Sequence, residues 1–538
     1  MLEEKDLDSA LTRVLSARFR LGEFDPPEDV PYSSITKDKL DSKENRDLAL
    51  EVAQKSIVLL KNEGILPLKK NKIKSIAVIG PNAAVAQLGI YSGFPNIRVS
   101  PLEAIKEKAA SLGIKVEYTM GSNLGGGLLS PIEPQYFGKV EGTNKTGIKG
   151  EYFNNMNLSG KPVVTKIDSM INFDYGTNAP LPDLPEDQFS IRWTGKIIPP
   201  DTVHHIGTST DDGARLYLNS KLVINDWHDH GEIPHSVKVD LKPGKEYDTK
   251  FEYYDDALGA VARLTWDIPQ KDFSKAKEVA ARNDVVILVL GISPGISQEE
   301  HDRTTIELPK VQRDLINAVA SVNPNVVVVL VNGGPIALAG TEKKVKGIVE
   351  AWYDGEFGGK AIADVIFGDV NPGGKLPETF YASTKELPPM SNYDLITYPR
   401  TYMYFNKPVL YPFGYGLSYT TFKYSDLKLN PNKIKEDGNV EIQFMIQNTG
   451  KMKGDEVAQV YVHKDNANIK VPINQLKRFQ RITLAPGESK TLTFKIPASE
   501  FSFYSTETND FKTDPGKWEI QVGSSSKDIR LNKTIMLE

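Results

Sequence analysis

The chain has 538 residues, no cysteine, and 65 basic against 70 acidic side chains, for a formal net charge of −5. That length exceeds one hydrophobic core and implies three or four domains at about 100 to 200 residues each. The charge balance gives no basic stripe for nucleic acid and no basic amphipathic helix for a membrane surface, so neither is an expected partner; the missing thiols exclude disulfides, thiolate chemistry and cysteine-ligated zinc.

The opening residues, "MLEEKDLDSALTRVL", lack the charged, apolar and small-residue regions of an export signal, and no apolar run approaches the ~18 residues of a membrane span. As written the sequence reads as soluble and cytoplasmic, with a periplasmic or secreted native product left open. Spacing predicts a helix from Asp6 to Arg20 with Leu7, Leu11, Val14 and Leu15 on one face. A second helix is expected over "ENRDLALEVAQKSIVLLKN", where Leu48, Val52, Leu59 and Leu60 fall at helical spacing, before a strand in "IKSIAVIGPN". "PLEAIKEKAASLG" and "IKVEYTMG" repeat the order helix then strand.

Glycine, proline and polar residues then break the pattern, and the period changes to two. In "ARLYLNSKLVIND" Leu216, Leu218 and Leu222 are expected to share an inward face. Helix–strand alternation returns with "VVILVL" and "NVVVVLVNG", continuous apolar runs typical of parallel strands covered on both faces. Between them "PKVQRDLINAVASV" puts Val311, Leu315 and Val319 on one helical face, and "EFGGKAIADVIFG" supplies another crossover helix. The last part alternates again, as in "NVEIQFMIQN", with the length of one β-sandwich. The expected organisation is a helix and linker at 1–40, an α/β sandwich with a mostly parallel sheet at 41–140 and 270–400, a β-sandwich inserted at 141–269, a linker at 401–421, and a final β-sandwich at 422–538.

The acidic loop "ISQEEHDRTTIELP" carries Glu299, Glu300, Asp302 and Glu307 directly after a buried strand, where ligand crevices of open α/β sheets lie. Acidic surface loops are also common without function, and Glu300 and Glu307 read as solvated. "VIGPNAA" lacks the spaced glycines of a dinucleotide fingerprint and the lysine–serine pair of a phosphate loop, which argues against a nucleotide-binding enzyme. Five of the seven histidines, His204, His205, His228, His230 and His235, fall in the inserted segment. Strand alternation would pair His228 with His230, but spacing implies no third ligand, so no metal site is assigned and a solvated edge is the plainer reading. Asp211 and Asp212 offer too few carboxylates for the six to eight oxygens calcium prefers and read as a turn, while Trp227 is a candidate for stacking on a sugar ring.

Several strings together resemble the C-terminal portion of family 3 glycoside hydrolases, the retaining β-glucosidases and β-xylosidases: "SIVLLKNEGILPL", "IAVIGPNA", "HDRTTIELPKVQRDLI", "AWYDGEFGGKAIADVIFGDVNPGGKLPETF" and "YPFGYGLSYTTF". The inserted segment, with "GEYFNN", "IRWTG" and "STDDGARLYLNSKLVIND", resembles the protective-antigen-type β-sandwich, and the last segment a fibronectin type III-like domain. The resemblance implies that Glu299, three residues before Asp302 and Arg303, is the acid/base. Asp302, Arg303, Trp227 and His228 are its expected substrate contacts, and a β-linked oligosaccharide or glycoside is its substrate, with no cofactor. The family often has glycine where this chain has Glu300. Proton donation at neutral pH asks for a raised carboxyl pKa, from partial burial or a neighbouring carboxylate such as Glu300. A retaining mechanism also asks for a second carboxylate about 5 to 5.5 Å away, which the family carries on an N-terminal barrel. A barrel needs about 200 residues, so the chain is expected to be the acid/base half of a truncated or split enzyme, inactive alone and completed by a separate barrel, and the apolar surface left where a barrel would dock is expected to favour self-association or a complex. The alternative is a non-catalytic carbohydrate-binding protein that uses the inserted β domain.

Overall fold

The computed structural model describes residues 3–93, 95, 97–126, 129–268, 273–299, 301–464, 471–505 and 508–538. The chain divides into two compact units, one through Val52 and one from Ala53 to the C-terminus. In the first unit helix α1 (Glu4–Arg20) is closed by a capping box in which Glu3 and Asp6 satisfy each other's backbone amides. None of its residues is buried, and Leu7, Leu11 and Val14 are exposed, so the expected apolar face exists but is bare.

The second unit begins within helix α2 (Lys43–Ser56), which stops sooner than spacing predicts. Leu59 and Leu60 lie in strand β1 (Val58–Asn62), antiparallel to strand β6 (Gly347–Glu350). The run "IVLL" has the β-branched, fully apolar character of a buried strand, and tertiary pairing overrides its helical spacing. Strands β2 (Ser75–Ile79), β3 (Lys115–Thr119), β4 (Val285–Gly291) and β5 (Val326–Val331) complete a sheet of order β1-β6-β5-β4-β2-β3, parallel except at β1.

On one face, Val286, Leu288 and Leu290 of β4 and Val326, Val328 and Leu330 of β5 share a core with helices α4 (Ser274–Ala281) and α5 (Lys310–Ala320). Alternate residues such as Ile287 and Val289 point to the opposite side, where α3 (Pro101–Ser111) and α6 (Gly358–Phe367) pack on each other. In α5, Leu315 and Val319 are buried as the spacing predicts, whereas Val311 is only half-buried and Gln312 takes its place.

Between β3 and α4 the chain forms six- and five-stranded antiparallel sheets around one core that includes Trp193, Phe251 and Trp266. Leu216 and Leu218 point inward, but Leu222 is 41% exposed and Ile224 is buried in its stead. The irregularity in strand pairing between Leu216 and Tyr217 shifts the register across the hairpin, and a one-residue shift exchanges the two faces. The C-terminal sheets, of three and five strands, enclose Phe444, Val460 and Trp518. Gln459 ties this sandwich to the segment following the parallel sheet by donating to the Gly414 carbonyl at 3.1 Å.

At the end of β4 Gly291 has φ 133°, and a Cβ there would meet the Val331 carbonyl oxygen at 2.0 Å. Gly291→Ala is expected to cost about 2 kcal/mol or more, from backbone strain plus overlap, measured by denaturant unfolding. Gly89→Ala, with open space around it, serves as the control and should stay within about 0.5 kcal/mol. Equal unfolding midpoints for the two variants would contradict the close approach of β4 and β5.

Candidate active site

Strand order reverses between β2 and β4: the chain runs outward from β2 to β3 on one side and from β4 through β5 to β6 on the other. Loops leaving the carboxyl ends of two such strands diverge and open a crevice. The loop after β2 starts at Gly80, whose Cβ position lies 2.0 Å from the Val289 carbonyl oxygen, so only glycine fits. Buried Asn82 then donates its side-chain amide to the Ile292 and Val331 carbonyls, at 3.4 Å each, joining three strand ends. Buried Gln312, at the start of α5, accepts from the Gly291 amide at 2.8 Å and donates to the Leu124 and Gly291 carbonyls at 2.7 Å each. The base of the crevice is therefore held by side-chain amides that spend their polar groups on backbone.

Glu299 stands at the tip of the loop after β4, where Gln298 and His301 exchange backbone hydrogen bonds of 3.1 Å. Its carboxylate accepts from the Tyr91 hydroxyl on the loop after β2, so the two diverging loops meet across the crevice. This bond is the main cause of a raised Tyr91 pKa, because a phenol donating to a carboxylate resists losing its proton. Glu299 is exposed, which departs from the expected partial burial: the tip projects past the buried base of the loop into open space. Glu300, the neighbouring charge invoked for it, lies outside the described residues.

The next two residues face opposite ways. Asp302 is exposed, while Arg303 turns toward the sheet and donates through Nη2 to the Pro335 carbonyl at 2.6 Å. Arg303 Nη1 is buried with no hydrogen-bond partner, and burial lowers the guanidinium pKa while Glu378, Tyr353 and Glu350 oppose that shift. Burial pushes Glu350, at the end of β6, well above the usual carboxylate range, raises Glu378 as well, and pushes Asp354 up to about 7. One guanidinium thus anchors the foot of the Glu299 loop beside a group of buried acids. Sequence reasoning missed Glu350, Tyr353, Asp354 and Glu378; the available signal was a glutamate ending the otherwise apolar strand "GIVE", immediately before "AWYDGEFGG".

Trp227 and His228 lie in the inserted domain, in the loop after the strand Lys221–Asp226 rather than on a strand face. The Arg215 guanidinium covers one face of Trp227 at 4.1 Å from the ring centroid, and Tyr254 packs at 4.7 Å. His228 is exposed, with Nδ1 2.8 Å from Asp226. Among the described residues no hydrogen bond or ring contact joins either side chain to Glu299. Asp212 ties a turn, accepting from the His230 and Asp256 amides at 2.8 Å each, while burial pushes its neighbour Asp211 up to about 7.

Residues 57–419 match the glycosyl hydrolase family 3 C-terminal domain, and residues 456–526 match a fibronectin type III-like domain. The chain belongs to glycosyl hydrolase family 3. It is 34% identical over 556 residues to a xylan 1,4-beta-xylosidase of Xylanibacter ruminicola, spanning 99% of this chain and 62% of that protein. It is 32% identical to a beta-glucosidase of Rhizobium radiobacter, spanning 98% of this chain and 66% of the relative. The crystal structure of beta-glucosidase from Kluyveromyces marxianus in complex with glucose superimposes with a TM-score of 0.66 at 29% identity, over 95% of this chain and 65% of that one. The chain thus spans under two thirds of the length of these relatives.

Asp354, with its folded-state pKa raised to about 7, keeps its proton in the folded protein after an unfolded chain has lost it near pH 4. Its contribution is complete below about pH 4 and is lost as pH rises through about 7. The second unit should lose stability over that interval. Asp354→Asn, which keeps an acceptor for the Ser56 hydroxyl, should flatten the dependence in denaturant titrations at several pH values, and an unchanged slope would contradict the assignment.

Proposed function

We propose that this chain supplies the proton-donor side of retaining hydrolysis of a β-linked glucoside or xyloside, with Glu299 as the acid/base. The carrying observation is its place: Glu299 stands at the strand-order reversal, three residues before the pair Asp302–Arg303, on a loop whose foot is pinned by a buried guanidinium. Tyr91 and Arg303 position the carboxylate, and Asp302 is assigned a sugar hydroxyl. Trp227, through the ring face opposite Arg215, and His228 are assigned contacts to the substrate beyond the cleaved bond.

The exposure of Glu299 supports a second element of the reading. A proton donor needs a drier setting than the open tip provides, and retention needs a second carboxylate about 5 to 5.5 Å away. Among the described residues the hydrogen-bond partner of Glu299 is a phenol. We assign both the cover and the nucleophile to a separate body, a barrel in the same polypeptide or on another chain. The bare face of α1, with Leu7, Leu11 and Val14, is available for association with that body or with a second copy.

The test combines this chain with a nucleophile-bearing barrel from a family relative and uses aryl β-glucosides of graded leaving-group acidity. Glu299→Gln should slow the poor leaving groups by about 100- to 10,000-fold and the activated ones far less, with azide restoring turnover of the latter. Equal losses across the series would remove Glu299 from the role of acid. Saturable hydrolysis by the chain alone, with Glu299→Gln still selective for poor leaving groups, would place the nucleophile inside these 538 residues and overturn the second element.

A further inference from the structure

The inserted domain holds a cluster that the hydrolytic reading does not use. Asp226 ends the strand Lys221–Asp226 at the edge of the six-stranded sheet, and His235 lies in Ile233–Leu241 at the edge of the five-stranded one. His230 sits in the loop between them. The Asp226 side chain is 5% exposed and that of His230 only 7%, while His235 is 39% exposed and leaves an opening to solvent.

Both imidazoles aim Nε2 at the same carboxylate oxygen, Asp226 Oδ2, at 2.9 Å from His230 and 2.6 Å from His235. Neither approach has hydrogen-bond geometry, and all three atoms are buried with no hydrogen-bond partner. The His230 tautomer follows from its other nitrogen. Nδ1 lies 2.7 Å from the Gly231 carbonyl oxygen, which can only accept, so Nδ1 carries a proton and Nε2 is the nitrogen left to face Asp226. A carboxylate oxygen and two imidazole nitrogens that converge in a dry site without hydrogen-bond geometry call for a cation among them. The Gly231 contact is also the outer-shell bond that usually orients a metal-bound histidine. The backbone is fixed by a further contact, the His230 amide donating to Asp212 at 2.8 Å.

We propose that Asp226, His230 and His235 bind one divalent transition-metal ion of the zinc class. Two imidazoles and a carboxylate, with their ligand atoms all within 4.8 Å of one another, suit a borderline ion with bonds of about 2.0 to 2.2 Å. Tetrahedral bonds of that length set neighbouring ligand atoms roughly 3.3 Å apart, so the ion spreads the two imidazole–carboxylate contacts by less than about 1 Å, within reach of side-chain rotation. Water takes the fourth position. The ion clips the edge strands of the two sheets together and fixes the loop that carries Trp227 and His228. Sequence spacing paired His228 with His230 and offered no third ligand; the fold instead brings in Asp226 and His235 and leaves His228 on the other carboxylate oxygen.

The experiment strips the 538-residue chain with a chelator and titrates zinc against a chromophoric competitor, following thermal unfolding in parallel and using cobalt absorption to report coordination. One ion per chain should bind, raise the unfolding temperature, and give the intense visible bands of four-coordinate cobalt. His235→Gln, on an exposed edge strand where folding tolerates the change, should weaken binding more than about 100-fold, since outer-shell losses alone cost roughly 10- to 100-fold. His228→Ala, which removes only an outer contact to Asp226, should weaken it by no more than about 10- to 100-fold. Zinc affinity equal in His235→Gln and the parent chain overturns the proposal. So does a chain that binds no zinc and is stabilised only by acidification, which would make the cluster two protonated imidazoles paired with a carboxylate.

Discussion

The structure turns on one constraint: the parallel strands approach so closely at their carboxyl ends that Gly80 and Gly291 admit no side chain. That approach brings three strand ends within reach of a single buried amide, Asn82, and lets Gln312 close the end of β4 from the start of α5. With the ends fixed, the loops after β2 and β4 leave from adjacent strands at the reversal of strand order, and their tips meet where Tyr91 donates to Glu299. The candidate site is thus a pair of loop tips on a rigid base, and the base rather than the loop sequences sets where the tips can go.

Continuous apolar runs marked β4 and β5 in the sequence because both faces of those strands are buried, and the change to period two marked the inserted sheets because one face of each packs on a common core. The same patterns misled where pairing chose between alternatives. Leu59 and Leu60 satisfy a helical spacing but enter a strand because β6 offers an edge, and Leu222 was assigned inward because an irregular register cannot be seen in a period. The position of the Glu299 loop, directly after a buried strand, was legible in the sequence. The acids near Arg303 were not, since Glu378 lies 28 residues beyond Glu350 in the chain and burial, which a sequence does not display, raises Glu350, Asp354 and Glu378 alike.

Exposure separates the two polar centres. Glu299 is at an open tip, whereas Asp226 and His230 are shut away between the edges of two sheets. An open carboxylate suits a group that meets substrate and a second body; a closed cluster of convergent ligand atoms suits a fixed ion that shapes the loop beside it. Histidine content alone did not reveal the cluster, because Asp226 lies across the loop from His235 and the fold brings the two together.

Proton donation by Glu299 is tested most directly by the pH dependence of kcat/KM for a poor aryl β-glucoside leaving group, with the nucleophile-bearing body present. The parent protein should show a bell whose basic limb reports loss of the donor's proton, and Glu299→Gln should lose that limb while keeping the acidic one set by the nucleophile. A basic limb that persists unchanged in Glu299→Gln would mean that another group delivers the proton.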